Sequence, residues 1–550
     1  MHSTAPRRHD GMLAAIKWTA VALLLLLLLH PSSTDSPDDR DRDLDDIKII
    51  NSSLGTRSPY PAIKFSIVNN PPSECVLKQV QLVSRHGTRY PTADWLPSFY
   101  QLSNYLARHH DTLKETSPYL ANWTMPFNAS DELTQTGRAE LDGIATRLRL
   151  RHGVWMSSLL DADSAETLQR RIIVRAANKS RVVESAEVFT NALFAQEARV
   201  HNISMEILDR KHDADLVPHE SCKAFKAIHS NISSADGGSQ FRTVAYPLRQ
   251  KRGKSPEAGK FILETFPLMA DKLSRKLRIP VSLDLFISML EMCGNEVAIF
   301  NFYDGFCKLF STTDYRKGDE SGDLDINEIA DDLRSYYEYG YGAQINQDMM
   351  CSLVTDIFES AFHLADENPL ILRFTHAETM LPLASALGLF HDEHPLTADY
   401  HPPERVWKSS FVAPYSSNLQ LEVYDCTRQL DDPSDSSASS GAQPDFTKNG
   451  GAGHRRLQPH HYTHSRLQER KIYSHQKFLD QQYPYRTRKV RVLWNEQTFH
   501  HRKLIRLPGC QDEFCSLATV YQTYEDSMKC NYDKRCGNEQ NTTIGGWTRF

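Results

Sequence analysis

The sequence predicts an α/β fold: a mostly parallel sheet flanked by helices, with an α-helical cap inserted into it. Two patterns carry that expectation. Three short apolar runs, ending at Val83, Val174 and Phe374, each lead into a polar turn and then a helix start, the order of a parallel sheet with crossover helices. From about Val217 to Met350 the chain reads as helix without another clear buried strand, which marks an insertion rather than more sheet. A length of 550 residues suits one large α/β unit carrying such an insertion.

Residues 1–33 begin with Arg7, Arg8 and Lys17, followed by an uncharged stretch from Trp18 to Leu29. That is the length of a signal-peptide core and short of the roughly 20 residues of a membrane span. The segment is therefore read as a signal peptide or an uncleaved anchor, and membrane contact is expected only in the second case. Residues 34–74 are expected to form an acidic stalk, since Asp35 to Asp46 contains seven Asp and two Arg. The folded part is expected to start near Cys75. Ten cysteines, and Asn-x-Ser/Thr sites such as those at Asn122 and Asn128, agree with an oxidising, glycosylating compartment, extracellular or lumenal. A net charge of −6 argues against a general nucleic-acid binder, so any anion site must be local.

Residues 75–216 are read as the first part of the α/β domain. The run Lys78 to Val83 alternates and then turns apolar, as a buried strand does, and must stop at Gly87 and Pro91. It presents Arg85, His86 and Arg89 at its C-terminal end, the edge where open α/β sheets bind ligands. Arginine forks match phosphate oxygens, and an imidazole nitrogen can attack phosphorus. Gly87 is read as the place where the backbone comes close to a ligand. A helix-like segment follows from Leu133 to about Arg151, with Leu141, Ile144, Ala145 and Leu148 at helical spacing. The second strand, Ile172 to Val174, runs into a turn where Ser180 is a candidate N-cap and Arg181 a candidate phosphate ligand.

Residues 217–350 are read as the helical cap, with helices over Phe261 to Arg278 and Leu283 to Met292. Asp319 to Glu328 is acidic but fails the EF-hand pattern, because Glu328 falls where that loop needs glycine. It is read as a solvated loop. Residues 351–429 form the second part of the α/β domain. Its strand, Leu370 to Phe374, leads into Thr375-His376-Ala377-Glu378 and a helix ended by Gly388; Ser410 to Val423 reads as strands. Residues 430–486 are acidic and Ser-rich, then Gly-rich, then basic and His-rich, and are read as a disordered low-complexity insertion. Their histidines lack fixed ligand spacing, so no metal is expected. Residues 487–550 complete the domain, with a strand over Val490 to Trp494.

Alone, His376 would be a satisfied core histidine and Glu378 a residue favoured by the helix dipole. Together, three strand ends would gather Arg85, His86, Arg89, Arg181, His376 and Glu378 at one edge. Phosphoryl transfer needs little beyond such positioning and charge neutralisation.

The spacing Arg85-His86-Gly87-x-Arg89-x-Pro91 resembles the signature of the histidine acid phosphatases. Arg373-Phe-Thr-His-Ala-Glu-Thr-Met-Leu-Pro382 is similar to their multiple inositol polyphosphate phosphatase branch. Asp131-Glu-Leu-Thr134, Asn178-Lys-Ser-Arg181 and Val412-x-Pro-Tyr415 add to that resemblance, which covers about Cys75 to Cys426. It implies a Rossmann-like histidine phosphatase fold and hydrolysis of phosphomonoesters, inositol polyphosphates among them, with 2,3-bisphosphoglycerate a further candidate. It implies His86 as the phosphorylated nucleophile, Arg85, Arg89, Arg181 and His376 as phosphate ligands, Glu378 as proton donor, and no cofactor. It also implies disulfides Cys75–Cys426, Cys293–Cys307 and Cys510–Cys515, with Cys222 joined to Cys530 or Cys536. Thr92-Ala-Asp94 stands where that branch tends to carry a lysine, and Asp215 to Cys222 departs from its usual entry to the cap. Lys223, Lys226 and Lys254 are candidate replacements for distal phosphates. A general or bisphosphoglycerate-directed phosphatase, and an inactive secreted binding protein of the same fold, are the alternatives.

Overall fold

The computed structural model describes residues 37–63, 69–161, 164–195, 203–235, 247–248, 255–312, 322–363, 369–427, 486–500 and 503–539. The expected leader or anchor, the bulk of the 430–486 insertion with its histidines, and Lys254 lie outside them. The chain divides into a short unit, Met1–Ile49, and a large one, Ile50–Phe550.

The strands are β1 (Cys75–Arg85), β2 (Ile172–Ala177), β3 (Met205–Leu208), β4 (Leu370–Thr375), β5 (Asn418–Thr427), β6 (Arg486–Trp494), β7 (Phe499–His500), β8 (Lys503–Leu504) and β9 (Cys515–Ser516). Seven of them form one sheet in the order β3-β2-β4-β1-β5-β6-β9, and β7 and β8 make a separate hairpin. β3, β2, β4 and β1 run parallel; β5, β6 and β9 continue the sheet antiparallel. Arg85 pairs with Thr375, and Ala176 with Phe374, so β1, β2 and β4 end level with one another.

The two faces of β1 differ. Val80 and Leu82 enter a hydrophobic cluster with Leu372, Phe374, Leu141, Ile144, Leu148 and Phe189. The helix Gln135–Arg151 supplies part of that cluster because its apolar residues recur every three or four positions, and Thr134 caps it by accepting from Gly137 N at 3.1 Å. On the opposite face Gln79 and Gln81 donate to the carbonyls of Ser360 and Ile357 in the helix Cys351–His363. That helix also carries Asp356, which holds Arg373 of β4 and Arg175 of β2.

Several expectations change. The helix Pro37–Asn51 replaces part of the expected stalk, and the fold starts well before Cys75. Ile50 and Leu54 are buried, Gly55 N donates to Glu328 at 2.7 Å, and Asn327 donates to the Ser53 carbonyl. Acidic composition set the stalk reading; the apolar Ile50 and Leu54 decide otherwise. Asp323–Glu338 is a helix rather than a solvated loop, with Glu328, Asp331 and Asp332 buried. Their carboxylates accept from Gly55, Ser409, Ser410 and Arg405. Residues outside 217–350 also pack with the helices of that block. The helix Leu96–Arg108 packs against Leu283–Phe300 and buries Phe99, Leu102 and Leu106 in the same cluster. Ser409–Val412 is a helical turn, and strand begins only at Asn418. The helix after β2 starts at Ser180 itself, with Lys179 as its N-cap residue. β3 was not anticipated; its burial is partial, so its four residues carry no apolar run.

Among the described residues, five disulfides join Cys75 to Cys426, Cys222 to Cys536, Cys293 to Cys307, Cys351 to Cys530 and Cys510 to Cys515. No described helix is long and apolar enough to cross a membrane.

A chain cut to begin at Cys75 should lose about 3–6 kcal/mol relative to one beginning at Pro37. Two buried aliphatic side chains are worth about 1.5–3 kcal/mol each, and Glu328 would also lose a backbone donor. Urea unfolding of the two chains measures this, and equal midpoints with equal slopes would show that the segment is dispensable.

Candidate active site

His86 follows β1 directly and is fixed by backbone on both sides. Its N–H donates to the Thr375 carbonyl of β4 at 3.0 Å, and its own carbonyl accepts from Ser416 at 3.1 Å. The ring is buried, and Nδ1 lies 2.9 Å from the Gly87 carbonyl. A carbonyl can only accept, so Nδ1 carries the proton and Nε2 keeps its lone pair. Burial, then the positive fields of Arg181, Arg85, His376 and Arg89, hold the His86 pKa well below the usual imidazole value. The ring is thus biased toward its neutral form.

The turn after His86 is held against the start of the helix Gln135–Arg151. A Cβ on Gly87 would come within 2.5 Å of the Gly137 carbonyl, and one on Gly137 within 2.2 Å of the Thr88 carbonyl. Gly87 therefore serves a close backbone packing with Gly137, not the approach of a ligand as the sequence suggested. Thr88 donates its N–H and hydroxyl to the two oxygens of Glu140, and Ser416 donates to the same carboxylate. One buried glutamate therefore ties the β1 turn to the loop before β5.

Each arginine is held by one terminal nitrogen. Arg85 Nη1 donates to the carbonyls of Thr56 and Ala413, at 2.5 and 2.6 Å, and its guanidinium lies 4.4 Å from the Tyr415 ring centre. Arg89 Nη1 donates to the Tyr90 carbonyl at 2.8 Å, and Arg181 Nη1 to Asp131 at 3.2 Å. The Nε atoms of all three are buried without a hydrogen-bond partner among the described residues, and so is His376 Nε2. Burial, reinforced by mutual repulsion, lowers Arg85 and Arg181 to about 10, so both remain cations at any working pH. Orphaned donors on buried, mutually repelling cations are expensive unless an anion fills the space between them.

His376 is the N-cap residue of the helix Ala377–Ala386, whose first turn holds Glu378. The His376 ring centre is 5.5 Å from that of His86, edge to face. Burial, assisted by Arg181, His219 and Arg210, lowers the His376 pKa well below 6.5, against an opposing pull from Glu378. Burial alone would raise Glu378, yet His219, His376, its own backbone N–H and Arg85 bring it down to about 2. Arg85, His86, Arg181, His376 and Glu378 thus act on one another electrostatically, and Arg89 acts on Arg85, His86 and Arg181.

Sequence reasoning missed Glu140, Asp131, Tyr415, Arg210 and His219. Asp131 and Tyr415 lie in stretches already marked by resemblance, and His219 in the stretch marked as a departure. Lys226 is near enough to act on His219, while Lys223 begins the next helix. Among the described residues no group of His, Cys, Asp and Glu could hold a metal.

A neutral imidazole nitrogen among buried cations, at the C-terminal edge of a parallel sheet, defines a phosphatase that works through histidine. The chain belongs to the histidine phosphatase superfamily (branch 2), whose model matches residues 76–440, more than half of its length. It is 27% identical over 403 residues to multiple inositol polyphosphate phosphatase 1 of Gallus gallus, covering 68% of this chain and 81% of the relative. It is 23% identical over 412 residues to phytase A of Penicillium oxalicum, with 68% and 80% covered. Among solved structures, the phytase from D. castellii shares the fold at TM-score 0.61 and 16% identity, covering 92% of this chain and 91% of that one.

Anion binding here should be coupled to proton uptake. His86 and His376 are depressed in the empty site, and a bound anion raises both. Affinity should therefore increase as pH falls toward their pKa values, by up to about tenfold per pH unit for each proton taken up. Sulfate keeps its charge between pH 8 and 4.5, so its calorimetric titration isolates the protein's protons. Affinity flat across that range, or stronger at high pH, would contradict this electrostatic description.

Proposed function

We propose that the protein hydrolyses phosphomonoesters of inositol polyphosphates, phytate and its lower phosphates included, through a phosphohistidine intermediate. One arrangement carries the reading: His86 Nδ1 faces the Gly87 carbonyl, which leaves Nε2 its lone pair, while three arginine Nε atoms and His376 Nε2 have no partner among the described residues. The kinship with multiple inositol polyphosphate phosphatases and phytase A supports the substrate class. Five disulfides agree with action in the secretory pathway, lumenal or extracellular.

In this reading the phosphoryl group is received by Arg85, Arg89, Arg181 and His376. His86 Nε2 attacks phosphorus and forms an N–P bond while the ester P–O bond breaks. Glu378, protonated in the complex, passes its proton to the departing alcohol oxygen. Water then attacks the phosphohistidine, Glu378 takes the water's proton, and the N–P bond breaks to release phosphate and restore His86. The negative charge of bound phosphate raises the Glu378 pKa from its low value in the empty site, as the proton-donor role requires.

His86→Ala should abolish turnover in a folded protein, and acid-quenched wild type should carry phosphate on histidine after incubation with labelled substrate. Glu378→Gln should slow phosphoenzyme formation from inositol phosphates by about 10²–10⁴-fold, the usual worth of general acid catalysis. An aryl phosphate with a good leaving group should suffer much less. Phosphate release measured across inositol phosphates, bisphosphoglycerate and an aryl phosphate separates this function from the broader phosphatase alternatives. Turnover surviving in His86→Ala would dispose of the mechanism.

A further inference from the structure

Glu378 stands in the first turn of a helix that has no capping side chain. His376, the N-cap residue of the helix Ala377–Ala386, makes no capping bond with its ring among the described residues. The helix start is held from outside instead. Thr375 and Thr379 flank His376-Ala377-Glu378, and both hydroxyls donate to one acceptor, the Leu216 carbonyl, Thr379 at 2.7 Å. Thr375 closes β4, and its own carbonyl takes the His86 N–H at 3.0 Å. Thr379 N–H donates to the His376 carbonyl at 3.1 Å.

Leu216 belongs to a turn, Asp213-Ala-Asp-Leu-Val217, that is buried throughout and lies between β3 and the short helix Pro218–Ser221. Backbone buried in a loop needs partners that water cannot supply. Asp213 provides them: its Oδ1 accepts from Asp215 N at 3.2 Å and from Leu216 N at 2.8 Å. The turn is pinned on its other side as well. Asp215 accepts from the Ser352 hydroxyl at 2.6 Å, and Arg175 of β2 lies 3.8 Å from its second oxygen. The Asp213 carbonyl accepts from Ser221 at 3.2 Å, beside Cys222, which is bonded to Cys536.

We propose that Asp213 is a positioning residue for the proton-donor half of the site: through Leu216 it holds Thr375 and Thr379, and so sets Glu378 against His86. The idea rests on the phosphohistidine reading above, with Glu378 as the acid. Without the Asp213 carboxylate, two buried N–H groups lose their acceptor, and the turn must shift to find others. The Leu216 carbonyl shifts with it. The backbone of Thr375 stays, because β4 is paired with β1 up to that residue, and His86 stays with it. What moves is the helix start beyond the strand, with Thr379 and Glu378. The nucleophile keeps its place and the acid loses its own.

The test is rapid-quench phosphoenzyme formation from inositol hexakisphosphate and from 4-nitrophenyl phosphate, read as a rate constant and an amplitude. Asp213→Ala should lower the rate constant with the inositol substrate about tenfold or more, since small misplacements of a reacting group cost that much. The aryl substrate, whose leaving group needs little protonation, should be largely spared. Asp213 Oδ2 has no hydrogen-bond partner among the described residues, so Asp213→Asn keeps the Oδ1 acceptor and gives up an idle oxygen. It should recover most of the inositol rate. A loss confined to amplitude and equal on both substrates is what a purely structural role gives, and would overturn the proposal. Equal losses of rate constant, an unchanged inositol rate, or an Asn variant as slow as Ala would overturn it too. Thr375→Val combined with Thr379→Val cuts the same link from its other end, and does not depend on the folding of Asp213 variants. It should slow the inositol reaction selectively, and adding Asp213→Ala should cost little more. An undiminished inositol rate there, or fully multiplied losses, would overturn the proposal. If wild type carries no phosphate on histidine with either substrate, the phosphohistidine reading falls. If it does, and the variants behave otherwise, this proposal falls alone.

Discussion

Like charge packed out of water is the condition around which this molecule is arranged. Arg85, Arg89 and Arg181 and the rings of His86 and His376 meet where β1, β2 and β4 end, and burial with positive neighbours lowers the pKa of Arg85, Arg181, His86 and His376. Burying cations together is unfavourable by several kcal/mol per ion without compensation. The protein compensates only from behind. Backbone carbonyls of Thr56, Ala413 and Tyr90, the carboxylate of Asp131 and the face of Tyr415 each hold one side of a guanidinium. Their Nε atoms have no hydrogen-bond partner among the described residues. A site built this way favours a dense tetrahedral anion over water, since only such a ligand satisfies several fixed donors at once.

That arrangement explains features remote from the chemistry. The Thr56 carbonyl is available to Arg85 only because residues 50–58 are strapped across the cap, through Gly55 N on Glu328 and Ser53 on Asn327. The Ala413 carbonyl is placed by the turn Ser409–Val412, whose backbone N–H groups donate to Asp332 and Glu328. Burial and the neighbouring Asp332 raise the Glu328 pKa, against the pull of Ser410 and Arg405, and its two oxygens accept from Gly55 N and Ser410 N. The buried acids of the helix Asp323–Glu338 are thus scaffolding for an arginine they never touch.

Strands β1, β2 and β4, the polar groups at their C-terminal ends and the helix after β2 were legible because each rests on local pattern: an apolar run, a turn, a helix start. Their meeting was legible because parallel strands that end level share an edge, and the register confirms the level ending. What stayed hidden depends on contacts distant in sequence. Glu140 reads as one more polar helix residue until Thr88 and Ser416 are seen on its oxygens. Residues 34–74 read as a stalk because acidic composition dominates their first part, and for residues 50–55 only the partners of Ile50, Leu54 and Gly55 show otherwise. The glutamines of β1 alternate with apolar residues in a run read as a buried strand. They face the backbone of the helix Cys351–His363 and the buried pair Arg373–Asp356, so polarity there reports hydrogen bonding rather than solvent.

One electrostatic field has to serve two opposite needs. In the proposed mechanism the nucleophile must be unprotonated, and burial with four nearby positive groups lowers the His86 pKa well below its usual value. The same proposal needs a protonated donor, yet His219, His376 and Arg85 drive Glu378 the other way. No fixed arrangement of charge satisfies both, because His86 and Glu378 share their neighbours. The conflict is relieved only when the neighbours are neutralised, and the substrate's phosphate is the group that does so. A dianion among the arginines cancels the field at Glu378 and lets it hold a proton. It approaches Nε2 of a ring whose Nδ1–H is tied to the Gly87 carbonyl, so the imidazole keeps the tautomer it needs even as its pKa rises. In the proposed mechanism the substrate therefore completes the acid it requires.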